Sequence, residues 1–341
     1  MDSMTTAQRR RPAGGMEDGR GGSDTRPSPV RGALDTLSRP VRGPHALRRW
    51  AVASLVVNVV IVVTGALVRL TASGLGCPTW PRCTEESYVS HPALGVHGAI
   101  EFGNRLLTFA LVAVALLTWV AALLDRDSGR RRRDLRWIAA GLLLGIPAQA
   151  VIGGITVLTR LNPFVVAIHL LVSMALIALS VWLLRRSWGL VPRPVSRGGV
   201  LAARSTFVLM AVAVWLGTVV TGSGPHAGDL NAVRTGFDGV LVTHLHATAV
   251  YATVAGTVVC LWLFRSRAAL AVLAVEVAQA AVGISQYHLG LPIGLVLLHL
   301  LGASLAVAAT TNLMLSVRSG RSGPRTGQHP PLPPARRTAA V

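Results

Sequence analysis

The chain has 341 residues, 51% of them hydrophobic and only 14% charged, with a mean hydropathy of +0.53. A soluble domain carries about 25% charged residues, so this balance excludes a soluble enzyme or binding module and indicates an integral membrane protein. The net charge of +19 would suit a nucleic-acid partner, but its placement excludes that reading in favour of a membrane topology, as the order of elements makes plain.

Residues 1–49 are rich in Gly, Pro, Ser and Arg and hold no apolar stretch, the composition of a disordered tail and not of a signal peptide. Runs near the ~20 apolar residues that span a bilayer follow at 51–72, 95–124, 135–157, 163–184, 203–222, 238–264, 268–287 and 291–314. They predict eight transmembrane helices. A second tail, 316–341, carries the Pro-rich stretch PPLPP. All 33 basic residues are arginine, and 28 of them lie in 1–49, 125–136, 185–204, 265–267 and 315–341. Every one of those segments falls on the same side of an eight-helix path. Basic residues collect on the cytoplasmic side, so both termini are predicted to be cytoplasmic in a multi-pass plasma-membrane protein. The sparsely charged loops 73–94, 158–162, 223–237 and 288–290 then face outward.

The first outer loop reads TASGLGCPTWPRC, with five residues between Cys77 and Cys83. On an oxidising face such a pair forms a disulfide or a redox-active thiol couple, and the rival zinc reading has no second pair of ligands. The next apolar run, GVHGAIEFGNRLLTFALVAVALLTWV, contains Glu101 and Arg105. Ionisable groups in hydrocarbon mark a functional site with a partner, and their i, i+4 spacing lets the two pair on one helix face.

The chain is internally repeated. AQAVIGGITVLTRLNPFVVAIHLL at 148–171 matches AQAAVGISQYHLGLPIGLVLLHLL at 278–301 in nine of 24 ungapped positions. VVTG recurs at 62–65 and 219–222, and IEFGNRLLTF at 100–109 falls over VTHLHATAVY at 242–251. The expected fold is all-α, two tandem four-helix bundles related by a pseudo-two-fold along the membrane normal. Its expected segments are a tail 1–49, an N-terminal half 50–185, a linker 186–202, a C-terminal half 203–315 and a tail from 316.

The repeat aligns His169 with His299 and sets His246 over Asn104. All four positions lie about 9–16 Å below the outer helix ends, so the imidazoles of His246 and His299 are expected to face each other across a bundle core. A planar macrocycle fits between them: histidine is a standard axial ligand of haem, and a b-type haem needs no covalent attachment. His244 lies about 200° round the helix from His246; His246 is preferred because it matches Asn104. His91, His226 and His288 beside outer loops, and His45 and His329 in the tails, are expected to be solvated. Cys260 is read as a small apolar filler, Asp238 as a helix cap, and Glu276 as a carboxylate near the cytoplasmic end that snorkels.

With TASGLGCPTWPRC, IEFGNR opening the second helix and histidines at 169, 246 and 299, residues 50–315 resemble the haem A synthases, in the form found in actinobacteria. The resemblance implies oxidation of the C8 methyl of haem O to a formyl group, through two successive oxygenations with O2 and loss of water from a gem-diol, to give haem A for a terminal oxidase. It implies a haem b cofactor on His246 and His299 and a substrate haem site with Glu101 and His169. Glu101 would stabilise positive charge at the oxidised carbon or move its proton, and Arg105 would orient it or meet a haem propionate. The implied partners are an upstream haem O synthase, an electron donor the sequence does not identify, and terminal oxidase assembly factors; a homo-oligomer is compatible with all of this. Most relatives have a histidine where this chain has Asn104. Three readings are open: an iron left five-coordinate on His169, substitution by His97 on the same helical face, or loss of function at that site. The rival class is a di-haem electron-transfer subunit, which predicts two equivalent, six-coordinate haems; a transporter without cofactor is a third.

Overall fold

The computed structural model describes residues 41–43, 45–127 and 130–320. The tail segments 1–40 and 321–341, with PPLPP and His329, lie outside the described residues. Among the described residues there are eight α-helices: α1 (Ala46–Leu70), α2 (Gly95–Leu124), α3 (Arg133–Leu158), α4 (Pro163–Ser187), α5 (Arg197–Ser223), α6 (Gly239–Phe264), α7 (Arg267–His288) and α8 (Ile293–Leu315). Each is long and apolar enough to cross a membrane. The chain is an all-α multi-pass membrane protein whose helices pack as bundles.

Side-chain caps set the helix starts where the apolar runs alone do not. The apolar run predicts a fifth helix from 203, whereas α5 begins at Arg197 because the Ser196 hydroxyl accepts from Gly199 N, satisfying an otherwise orphaned amide. Asn162 caps α4 just ahead of Pro163, and Ser266 caps α7. The Asp238 carboxylate accepts from Val240 N at 2.8 Å and Leu241 N at 3.3 Å, as expected for the cap of α6.

Large apolar side chains point away from the protein. Trp137 is 78% exposed and Trp262 79%, both near the helix ends that carry the arginines, where an aromatic belt meets the membrane interface. The inward faces form three clusters. Leu111, Ala115, Leu135, Leu142, Ile146 and Leu183 belong to one within the first four helices, and Ala203, Cys260, Val272 and Leu313 to one within the last four. Val62, Met174, Ile177, Met210, Ala306 and Val307 form the third, which joins α1, α4, α5 and α8 and belongs to both halves.

Polar stitches reinforce that shared core. On the arginine-rich face, Arg185 Nη1 donates to Asn312 Oδ1 at 2.5 Å, and the strand Arg193–Val195 pairs in parallel with Val317–Ser319. On the opposite, loop-bearing face, Arg69 at the end of α1 donates to the carbonyls of His226 at 2.6 Å and Thr221 at 3.0 Å, while Gly74 N donates to Gly228 O at 2.8 Å. Residues 41–320 belong to one compact unit. His226, expected to be solvated, is half-buried with Nε2 3.1 Å from Leu291 O: the outer loops fold over one another and enclose it.

Candidate functional site

In the second half, α6 and α8 bring the rings of His246 and His299 to a centroid separation of 6.4 Å, with planes 76° apart. His246 Nδ1 lies 2.9 Å from Ala213 O in α5. A carbonyl can only accept, so Nδ1 carries the proton and Nε2 keeps its lone pair, the arrangement that orients a metal-ligating imidazole. His299 Nδ1 is buried with no hydrogen-bond partner among the described residues. Glycines flank both rings: a Cβ at Gly217 would stand 3.3 Å from His246 Cε1, and one at Gly283 3.4 Å from His299 Cε1. Gln279 Nε2 donates to the backbone carbonyl of His299 at 3.0 Å, reaching it across Gly302, where any Cβ would collide with the Gln279 side chain. His244 is exposed.

The first half repeats part of this device. Gln149 Nε2 donates to His169 O at 2.9 Å, Gly153 leaves room beside the His169 ring, and His169 Nδ1 is buried without a partner among the described residues. The counterpart of His246 differs. Asn104 Oδ1 accepts from Thr64 Oγ1 at 2.8 Å, tying α2 to α1. His97, the one substitute ligand among the three open readings, is exposed, with Nδ1 2.9 Å from Ser73 Oγ.

Glu101 is 5% exposed. Its Oε2 accepts from Cys77 N at 2.7 Å, and its Oε1 from Arg105 Nε at 3.1 Å and Nη2 at 2.5 Å. Arg105 also donates from Nη1 to the carbonyls of Thr79 and Arg82, at 3.1 and 3.2 Å, and from Nη2 to Cys77 O at 3.0 Å. A guanidinium has five N–H donors, and these contacts use all of them. The pair therefore clamps the first outer loop onto α2, and the loop is closed by a disulfide between Cys77 and Cys83.

The same loop lays Trp80 against α3. A Cβ at Gly154 would stand 2.3 Å from Trp80 Cδ2, so only glycine admits the indole; the repeat has Ile284 here, and its corresponding loop 223–237 holds neither cysteine nor tryptophan. Replacing Gly154 by valine should dislodge Trp80 and loosen the loop, costing about 1–3 kcal/mol as overpacking. Limited proteolysis within 73–94, compared with wild type, reads this out, and unchanged cleavage would separate the loop from α3.

Residues 48–94 and 95–311 match the COX15-CtaA family of cytochrome oxidase assembly proteins. The chain belongs to this family. Among similar curated COX15-CtaA relatives, the heme A synthase of Lysinibacillus sphaericus is 33% identical over 129 residues, 37% of this chain and 40% of that protein. The heme A synthase of Methylorubrum populi is 30% identical over 242 residues, 60% of each chain, and that of Geobacillus kaustophilus 32% over 114 residues, 32% of this chain and 33% of that protein. The alignments thus span less than two thirds of these relatives' own lengths.

Some members of the site were not singled out by sequence reasoning. Gln149 and Gln279 were visible as the repeated Ala-Gln-Ala but carried no assigned task; a polar residue kept in both copies of an apolar helix was the available signal. Thr64 lay in the repeated VVTG, and Trp80 in the cysteine loop, without a partner that spacing could name.

Proposed function

We propose that the protein is a haem A synthase of the cell membrane, oxidising the C8 methyl of haem O to a formyl group with both termini cytoplasmic. The observation that carries this reading is the pairing of two unlike halves: a facing histidine pair in the second, and in the first a single repeated histidine, Asn104 and a buried carboxylate. Two imidazoles bound to one iron, each nitrogen about 2 Å from the metal, would hold their ring centroids about 6.3 Å apart, and 6.4 Å is found. The residues present therefore fit haem b, which His246 and His299 would hold. Such a haem supplies reversible one-electron transfer.

The first half takes the substrate, haem O, with His169 as the ligand to its iron. Asn104, already committed to Thr64, leaves the opposite side of that iron open to O2. Two oxygenations of the methyl, each using one O2, two electrons from an external donor and two protons and releasing one water, give a gem-diol, and its dehydration gives the aldehyde. Glu101 holds or moves the proton lost from the oxidised carbon's hydroxyl. Arg105, with its five donors engaged, orients Glu101 and pins the loop that keeps water away. An enzyme that makes haem O upstream and factors that assemble the terminal oxidase are the partners this reaction requires.

The test is mass-resolved pigment analysis of protein purified from cells that also express a haem O synthase. Haem A or its hydroxymethyl precursor beside haem b is expected; haem b alone, in two equivalent bis-histidine sites, would instead make the protein an electron-transfer subunit. An Asn104→His variant probes the open position. It should convert the substrate haem from a high-spin to a low-spin spectrum and slow its oxidation, and a wild-type substrate haem that is already low-spin would point to His97 as the second ligand.

A further inference from the structure

Glu276 in α7 is 4% exposed, so it does not snorkel to the arginine-rich face as its position in sequence suggests. Its Oε1 accepts from Thr257 Oγ1 in α6 at 2.9 Å, while Oε2 is buried with no partner among the described residues. No described cation pairs with it. The same Thr257 hydroxyl lies 3.1 Å from Thr253 O, so its single proton is shared between that carbonyl and Glu276, and Thr253 Oγ1 donates to Ala249 O at 2.8 Å. At 100° per residue, Thr253 and Thr257 each fall within about 20° of His246 on α6. Glu276 and Gly283, which abuts the His299 ring, share a face of α7 in the same way, about 10 Å apart along the axis.

The repeat shows that the fold does not need these polar groups. The counterparts of Thr253, Thr257 and Glu276 in the first half are Leu111, Ala115 and Ile146, and all three sit in its apolar core. A half-satisfied carboxylate kept inside the membrane in only one of two duplicated bundles marks a function of that bundle.

We propose that Glu276 is a proton-binding site linked to the redox centre of His246 and His299, taking up one proton when that centre gains an electron and releasing it when the electron leaves. The proposal rests on the assignment of haem b to this histidine pair. An added electron places one negative charge a few turns from Glu276 in a medium of low dielectric, where charges interact strongly. The balance is one electron from an external one-electron reductant and one proton from water on the arginine-rich side; the bond formed is O–H on Glu276 Oε2. The titratable and charged groups on the helices packed with α7 are His244, His246, Tyr251 and Cys260 on α6 and His299 on α8, with Arg267, Tyr287 and His288 on α7 itself.

The test is a potentiometric titration of the bis-histidine haem in the purified holoprotein at several pH values, with dithionite as reductant. The midpoint is expected to fall as pH rises, by up to about 59 mV for each tenfold drop in proton concentration if one proton follows each electron. Glu276→Gln keeps the bond to Thr257 and should flatten that slope without altering the optical spectrum, and Cys260→Ala should leave the slope as it is. A flat wild-type profile, or a slope that survives in Glu276→Gln, overturns the proposal. Redox-difference infrared spectra of the wild type give a reading that needs no variant: a protonated-carboxyl band must grow on reduction, and its absence also overturns the proposal. A protein without bis-histidine haem would instead overturn the haem b assignment, and the proposal with it.

Discussion

Replacing His299 by alanine should yield a protein that lacks the bis-histidine haem spectrum and makes no haem A. The ring lies opposite His246 at 6.4 Å, and its loss removes one of the two residues proposed to hold haem b. The backbone that carries it stays in place, because Gln279 holds the His299 carbonyl and not its ring. The fold should therefore survive: alanine leaves a space about the size of an imidazole beside Gly283, and added imidazole should restore the six-coordinate spectrum. His246→Ala should behave alike, because the Ala213 carbonyl lies inside α5 and keeps its helical hydrogen bond when the imidazole is removed. Optical spectra with and without imidazole check both; bis-histidine haem that persists in either variant would remove that residue from the ligand pair.

The second large effect is expected at Glu101. Glu101→Gln should lower the rate of haem A formation by at least ~10²-fold, the usual scale for losing a proton-transferring group, with pigment content unchanged. A glutamine still accepts from Cys77 N and leaves the clamp of Arg105 on the loop carbonyls intact. Glu101→Ala should add a structural defect that glutamine avoids: the buried Cys77 N–H loses its acceptor, a loss of about 1–3 kcal/mol, and loop 73–94 should become sensitive to protease. The two variants divide the roles. Equal haem A production by Glu101→Gln and wild type would leave Glu101 a purely structural charge.

The number of helices was legible because the bilayer sets their length, and the pairing of halves because His169, His299 and Ala-Gln-Ala recur at one spacing. Glu101, Arg105 and the histidines stood out as ionisable groups in apolar runs. What spacing could not supply was the rotation of each helix. A helix with lipid on one side and protein on the other is apolar all round, so no amphipathic stripe tells which residue meets which. Hence the Thr64–Asn104 bond, the seat of Trp80 on Gly154 and the passage of Gln279 across Gly302 came only with the packed structure. Glu276 shows the same limit: its place nine residues into α7 suggests reach to the surface, whereas Thr257 on the neighbouring helix holds it inside. His226 shows it in the loops, where the partner Leu291 is 65 residues away.

The core that α1, α4, α5 and α8 share has a consequence for assembly of the protein itself. Two bundles that share buried side chains cannot melt independently, so heat should unfold them in a single transition. A ligand that binds only the folded chain stabilises it by mass action, about 2.7 kcal/mol at a hundred times its dissociation constant. Haem taken up by the second half would then also firm the first, including the loop held by Glu101 and Arg105. On the haem b assignment proposed above, loading of that group becomes a maturation checkpoint: a chain that has not received it would offer the proposed substrate only a loosened pocket.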